Sequence, residues 1–332
     1  MKAVIVERNA EINSSPLIMV EKDIPRPAAS ELLIKVHNCG ICHTDLHVVE
    51  GDLKPKKMPV VPGHQVVGTV VEIGSEVTEL RKGDKVGVAW LHAACGKCIY
   101  CRKGKENLCD EPLFTGYSVD GGFAEFIISK ERYTYKISER FEDSQAAPLL
   151  CAGIIGYRSF RLSKIKAQEI IGLYGFGASA HIVIQIAKYR NCKVFVFTRS
   201  VQHRTLAVEL GADWAGSSEQ IPPEQLDSAI IFAPVGSLYI NALKAVRKGG
   251  TVASAGIHMS PIPQFSYELL YNEKIMLSVA NSTREDAIEL LKLASEIPIK
   301  TTVELFPLQE ANRALQLLKA GKINGAGVLV IE

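Results

Sequence analysis

The chain has 332 residues, 47% of them hydrophobic and 22% charged, with 38 basic against 36 acidic side chains and a net charge of +2. That is the composition of a folded globular protein with room for two domains, not of a disordered chain. With no long run of one sign, the charge gives no push toward nucleic acid or an anionic membrane surface.

The N-terminus, MKAVIVERNAEI, is short, alternating and charged early, and it lacks the apolar core of a secretory leader. The expected compartment is the cytoplasm, where disulfides are rare, so the eight cysteines need another use. Up to residue 152 the chain is rich in short alternating stretches (LLIKV, VVGTVVEIG, KVGVAW, FAEFIIS) separated by SE, KGD and DGG turns. This predicts a β-rich, partly barrel-like domain. Three segments here carry side chains suited to chemistry: CGICHTDLH from Cys39 to His47, PGHQVVG from Pro62 to Gly68, and PLLCAGIIGY from Pro148 to Tyr157. Spacing alone does not bring Cys42, His64 and Cys151 together. Each taken singly is more often a packed thiol or a hydrogen-bonded histidine. His43 and His47 also have the i, i+4 spacing of a helical metal pair.

Between Cys95 and Cys109 four cysteines follow the pattern C-x2-C-x2-C-x7-C. A bacterial iron–sulfur motif would continue with a fourth cysteine after three residues and then proline. Here the gap is seven residues and Asp110 follows. Four thiolates on short loops bearing Gly and Lys close a tetrahedron around zinc, and Lys97, Arg102, Lys103 and Lys105 offset its negative charge. With four protein ligands, Cys95, Cys98, Cys101 and Cys109, the ion has no open position and is structural.

From residue 153 the pattern changes to alternating strands and helices. Strands are expected at 170–175, 193–198, 213–216, 228–233, 250–256 and 274–280, and helices at 178–190, 202–211 and 236–248. An uncharged run of eighteen residues, Ile170 to Ala187, splits into a strand and a helix pattern and reads as buried structure, not a membrane span. At its centre Gly175-Phe176-Gly177-Ala178-Ser179-Ala180 follows a strand and opens a helix. This is G-x-G-x-x-A, in which the first glycine permits the turn, the second lets a pyrophosphate approach, and the small Ala180 packs helix on strand. At the end of the next strand an NAD site would place a carboxylate; this chain has Thr198, Arg199 and Ser200, with Arg204 beyond. Hydroxyl and guanidinium groups suit a ribose 2′-phosphate, so NADP(H) is favoured over NAD(H). The tail returns to helices at 284–295 and 309–320 and a closing strand, GAGVLVIE.

CHTDLH, GH followed by a polar residue, GDKV, the four-cysteine loop, CAGI and the Gly-rich turn occur in this order along the chain. In that combination the sequence resembles, over essentially its whole length, the zinc-dependent alcohol dehydrogenases of the medium-chain dehydrogenase/reductase group. The resemblance implies an α/β protein: a Rossmann-type doubly wound parallel sheet at 153–281 and a β-rich, GroES-like catalytic domain made of 1–152 and 282–332. It makes Cys42, His64 and Cys151 ligands of a catalytic zinc with one open position, so that two Zn2+ are expected per chain. Thr44 would take the alcohol proton and His47 would pass it to solvent by way of the nicotinamide ribose. His43 would face the cofactor pyrophosphate. Asp45 would orient a histidine ligand, or serve only as a helix N-terminal carboxylate. Trp90, with Leu53 nearby, would line the alcohol pocket or pack in the core. Partners would be a small alcohol or aldehyde and further copies of the chain, as a homotetramer or a dimer.

Two positions depart from the family pattern. Gln65 replaces the usual glutamate after the ligand histidine, making the site less anionic. Ala326 replaces an arginine that commonly faces the cofactor phosphates. The rival readings are a zinc-free quinone or enoyl reductase on the same scaffold, a zinc-ribbon binding module fused to a nucleotide sensor, and a redox sensor using Cys42 or Cys151.

Overall fold

Six stretches between Ile170 and Ser278 line up as one parallel sheet. In this computed structural model, which describes residues 1–297 and 299–331, the strand order is Trp214–Gly216, Lys193–Phe197, Ile170–Tyr174, Leu226–Ile231, Val246–Ser254, Ile275–Ser278. Every neighbouring pair is parallel. Numbered along the chain the order is 3-2-1-4-5-6, the doubly wound arrangement with its switch point beside the first strand. All five residues of Ile170–Tyr174 are buried, which is why that strand reads as an unbroken apolar run instead of alternating. The uncharged run therefore divides between this strand and the helix Ala178–Tyr189. No helix among the described residues is long and apolar enough to cross a membrane.

The third helix is shorter than its pattern suggests. It covers Leu238–Ala245, not 236–248, because Val246 already pairs with Leu226 and begins the strand Val246–Ser254. Gly249 at φ 75° lies within that strand, a conformation that no helix accommodates.

Two two-stranded sheets pair Lys2–Val6 with Leu17–Glu21 and Leu91–Ala93 with Leu113–Phe114, and a second large sheet has seven strands. Its path runs Val303–Pro307, Ala326–Val330, Glu31–Ile41, Gln65–Ile73, Lys85–Val88, Thr134–Lys136, with Phe126–Lys130 pairing separately onto Glu31–Ile41. All pairings are antiparallel except the first. The tail enters this sheet directly, with Leu329 opposite Cys39. Glu332, the last residue of the expected closing strand, lies outside the described residues. Inward-facing Ile34, Val36, Val66, Val86, Val88, Phe123 and Leu329 belong to one buried cluster. Chain contacts divide the molecule into two units, Met1–Cys151 with Thr283–Glu296 and Lys300–Glu332, and Ala152–Ser282 with Ile297–Ile299.

Register in this sheet brings two strand ends together. The long strand Glu31–Ile41 ends one residue before Cys42, and Gln65–Ile73 begins one residue after His64. The two strands are neighbours, with Gly40 opposite Gln65. Antiparallel pairing thus carries two segments, twenty-two residues apart in sequence, to the same end of the sheet.

Candidate metal centre and nucleotide turn

Cys42 stands in extended conformation as the N-cap of the helix His43–Glu50, and its sulfur accepts the Thr44 N–H at 3.3 Å. His64 is fully buried, and its Nε2 lies 3.5 Å from Cys42 Sγ. The turn before it needs glycine: Gly63 has φ +93°, and a Cβ there would lie 2.3 Å from the Phe123 ring. Cys151 closes the group, its sulfur 4.0 Å from that of Cys42. The three ligand atoms all lie within 4.8 Å of one another. With Zn–S near ~2.3 Å, a tetrahedron has edges of about 3.8 Å, so two sulfurs and one imidazole nitrogen at these separations fit one ion.

Asp45 joins the pieces. Its Oδ2 accepts the Cys42 N–H at 2.9 Å, and its Oδ1 accepts the Gly63 N–H at 3.2 Å and the His64 Nδ1–H at 2.9 Å. The carboxylate is thus at once the N3 member of a capping box at the helix N-terminus and the group that orients His64. By donating from Nδ1, the imidazole presents its lone pair at Nε2, on the side of Cys42.

The charges are arranged for a cation. The Cys42 thiol is held well below its usual range by the Cys151 thiol hydrogen bond and by His64, against the effect of burial. Cys151 is pushed up by that same bond and by burial, so Cys42 carries the charge of the pair. Burial alone would depress the His64 ring, but Asp45 and Cys42 outweigh it and take it up to about 10. A positive charge is therefore favoured at Nε2, where a metal ion would replace the proton.

The neighbours are aromatic. Trp90 meets the His64 ring edge-on at 5.0 Å, stacks on Phe114 at 5.0 Å and touches Tyr117 at 5.8 Å. Phe114 and Tyr117 escaped the sequence reading; their one signal is the aromatic spacing in LFTGY after the cysteine loop. Leu53 sits half-buried on the turn after the helix, against the core cluster. Gln65 is 2% exposed, its side chain folded over Gly40 and its Nε2 without a hydrogen-bond partner among the described residues. His43 is exposed at the first helical position, and His47 is four residues on, outside the Cys42–His64–Cys151 group. Ala326 is buried at the start of its strand.

The four-cysteine loop gathers separately. Its sulfurs also lie within 4.8 Å of one another, with Cys95 and Cys101 4.0 Å apart. Backbone N–H groups point at them: Cys95 N to Cys109 Sγ at 3.2 Å, Cys98 N to Cys95 Sγ at 3.4 Å and Cys101 N to Cys98 Sγ at 3.5 Å. Donation from the Cys101 and Asp110 amides holds Cys98 down to about 6, while burial and the Cys98 thiol push Cys101 up to about 12. Lys97, Arg102, Lys103 and Lys105 are exposed around it.

In the second unit, Gly175 adopts φ +87°, and a Cβ there would come within 2.9 Å of the Ala233 amide. In front of Gly177 there is open space among the described residues: a Cβ would meet none of their atoms within 4 Å. Ala180 is fully buried and Phe176 nearly so. These are the three roles the motif requires, with the space left at the position where a pyrophosphate approaches the backbone. At the end of the next strand Thr198 is buried and Arg199 exposed. Ser200 caps the following helix through the His203 N–H at 3.2 Å. Arg204 braces this loop, donating from Nε to Thr198 O at 2.9 Å and from a terminal nitrogen to Arg199 O at 3.4 Å.

Comparison with known proteins agrees with this geometry. The family described as alcohol dehydrogenase GroES-like domain matches residues 28–139, and that described as zinc-binding dehydrogenase matches residues 180–296. A probable alcohol dehydrogenase of Mycobacterium tuberculosis is 46% identical over 100% of this chain and 97% of its own length. An alcohol dehydrogenase of Geobacillus stearothermophilus is 34% identical over 100% of both chains. Among solved structures, a cinnamyl alcohol dehydrogenase of Sorghum bicolor superposes with TM-score 0.90 at 26% identity, covering 99% of this chain and 97% of that one.

Proposed function

This chain belongs to the zinc-binding alcohol dehydrogenases of the medium-chain dehydrogenase/reductase group, and on that premise we propose that it interconverts primary or secondary alcohols with aldehydes or ketones. The reading rests above all on Cys42, His64 and Cys151 presenting three ligand atoms within 4.8 Å. Three ligands leave a tetrahedral ion one position for substrate, whereas the four-cysteine loop leaves none. Two zinc ions per chain follow, one held by Cys42, His64 and Cys151 and one by Cys95, Cys98, Cys101 and Cys109. Bound there, the first ion supplies Lewis acidity toward a hydroxyl or carbonyl oxygen, and the nicotinamide supplies the hydride acceptor or donor.

The chain's own groups handle the proton and the fit. Thr44, two residues after Cys42, takes the hydroxyl proton through its Oγ1, and His47 releases it to solvent. Asp45 fixes the His64 tautomer, and Trp90, backed by Phe114 and Tyr117, forms an apolar wall that restricts bulky substrates. His43, Gly175, Gly177 and Ala180 receive the cofactor phosphates. Arg199 and Thr198 meet a ribose 2′-phosphate, with Arg204 holding their loop, so NADP(H) is preferred over NAD(H). Thiolate ligand sets suit a reducing compartment, the cytoplasm. A homotetramer, or failing that a dimer, is the assembly. Its support is that the second unit exposes Ile257, Ile262, Tyr267 and Tyr271 in the segment leading to its outer strand.

The test is an alcohol and aldehyde panel with both cofactors on protein of measured zinc content, with mass determined in solution by light scattering. About two zinc per chain and alcohol-dependent reduction of NADP+ are expected. One zinc per chain without alcohol oxidation refutes the activity. Equal KM values for the two cofactors, or a lower one for NAD, refute the preference.

A further inference from the structure

The proton exit assigned to His47 has a partner. Asp52 Oδ2 lies 2.8 Å from His47 Nδ1. We propose that Asp52 is a positioning residue for the relay: it accepts the Nδ1–H of His47, fixes the neutral ring in that tautomer and so keeps the proton-accepting lone pair on Nε2. The inference rests on the reading of His47 as the relay group.

The contact is built by the backbone. His47 stands in the last turn of the helix His43–Glu50, and Gly51 follows at φ +91°, a left-handed cap that only glycine adopts readily. The amides of Gly51 and Leu53 both donate to the His47 carbonyl, at 3.0 and 3.1 Å. This double closure folds Asp52 back over the ring of the residue that receives both bonds. Asn9 braces the turn from below, donating to the Val48 and Val49 carbonyls at 2.7 and 3.3 Å. A Cβ on Gly51 would collide with that asparagine at 2.9 Å. The carboxylate of Glu50, on the same helix, is otherwise engaged: it accepts from the Ile12 amide at 2.9 Å and from Lys319 at 2.7 Å.

Stability gives no reason for such an arrangement. The Asp52 side chain is 54% exposed and that of His47 19%, and an ion pair so open to water stabilises a fold little. A tautomer is a different matter, since an imidazole carrying its hydrogen on Nε2 cannot take a proton there. The chain uses the same device within the same helix: Asp45 accepts from His64 Nδ1 and puts that lone pair on Nε2.

The experiment reads the tautomer directly. Zinc-loaded protein labelled with 15N at histidine is compared with Asp52→Ala and His47→Gln by long-range proton–nitrogen correlation, the second variant identifying the His47 signals by their loss. Expected are an Nδ1–H ring in the native protein, movement toward Nε2–H in Asp52→Ala, and a kcat for alcohol oxidation lowered about tenfold with little change in the alcohol KM. An unchanged His47 tautomer in Asp52→Ala overturns the inference, and so does a changed tautomer with unchanged kcat. Full kcat in His47→Gln removes the relay reading itself, and the role of Asp52 in the reaction falls with it.

Discussion

Asp45→Asn isolates how much of the proposed three-residue metal site is built by one carboxylate. The two oxygens of Asp45 serve three donors: Cys42 N–H on one side, Gly63 N–H and His64 Nδ1–H on the other. Asparagine keeps one oxygen. If that oxygen stays with Gly63 and His64, its amide nitrogen faces the Cys42 N–H, donor against donor, in a site where residue 45 is 2% exposed. One buried N–H then lacks an acceptor, at about 1–3 kcal/mol. If the amide turns round, two donors are orphaned and His64 loses its orientation. The first arrangement is cheaper, so the variant folds with its melting temperature lowered. Losing a charged group that orients a ligand histidine typically weakens metal binding about 10–100-fold. The assay is competition with a chromogenic chelator, following both zinc ions. The four-cysteine site, which Asp45 does not touch, is the internal control and should release its ion unchanged. A variant that is folded but binds both ions as tightly as the native protein would refute the view that Asp45 organises the site.

The glycines of the nucleotide turn should separate binding from folding. Gly177→Val meets open space at φ −103°, so the melting temperature stays near native while cofactor Kd rises at least about tenfold. Gly175→Ala must hold φ +87° against the Ala233 amide, so it loses stability as well; equal melting behaviour in the two would contradict this division. The His181 ring is 1% exposed, and burial pushes it down to about 4. Its folded value lies below its unfolded one, near ~6.5, so stability is present above that pH and is lost as pH falls toward 4. At pH 5 the loss amounts to about 2 kcal/mol. His181→Phe should show a shallower decline in urea midpoint between pH 7 and pH 5, and parallel declines would count against the buried neutral ring. Cys109→Ser should cost one zinc per chain and lower the melting temperature while the zinc at Cys42, His64 and Cys151 remains; loss of both ions in metal analysis would contradict two independent sites.

The parallel sheet was legible because its signals are local. A buried central strand, a turn demanding glycine and a helix opening with small residues succeed one another within twenty residues, Ile170 to Tyr189. The helix ending at Ala245 was overestimated for the converse reason. Its apolar pattern runs on through Val246, and only pairing with Leu226, twenty residues upstream, turns that residue into a strand. The gathering of the four-cysteine loop, too, was readable from spacing, since all four thiols fall within fifteen residues.

Cys42, His64 and Cys151 are another case. They meet because Gly40 pairs with Gln65 across two strands and because a 3-10 turn, Ala147–Leu150, ends at Cys151. Nothing in their separate surroundings announces that register, so only the resemblance to a family brought them together on sequence. Asp45 shows a subtler limit. Helix N-terminal carboxylate and histidine partner stood as alternatives, yet a carboxylate has two oxygens, and here one accepts from the Cys42 amide and the other from His64. Asp52 shows that short separation does not guarantee legibility. It lies five residues from His47, but the contact exists only because Gly51 takes φ +91° and directs two amides onto one carbonyl. Glycine makes that state available without requiring it. The sequence therefore names the residues able to make the bond, and the backbone conformation at a single position decides that they do.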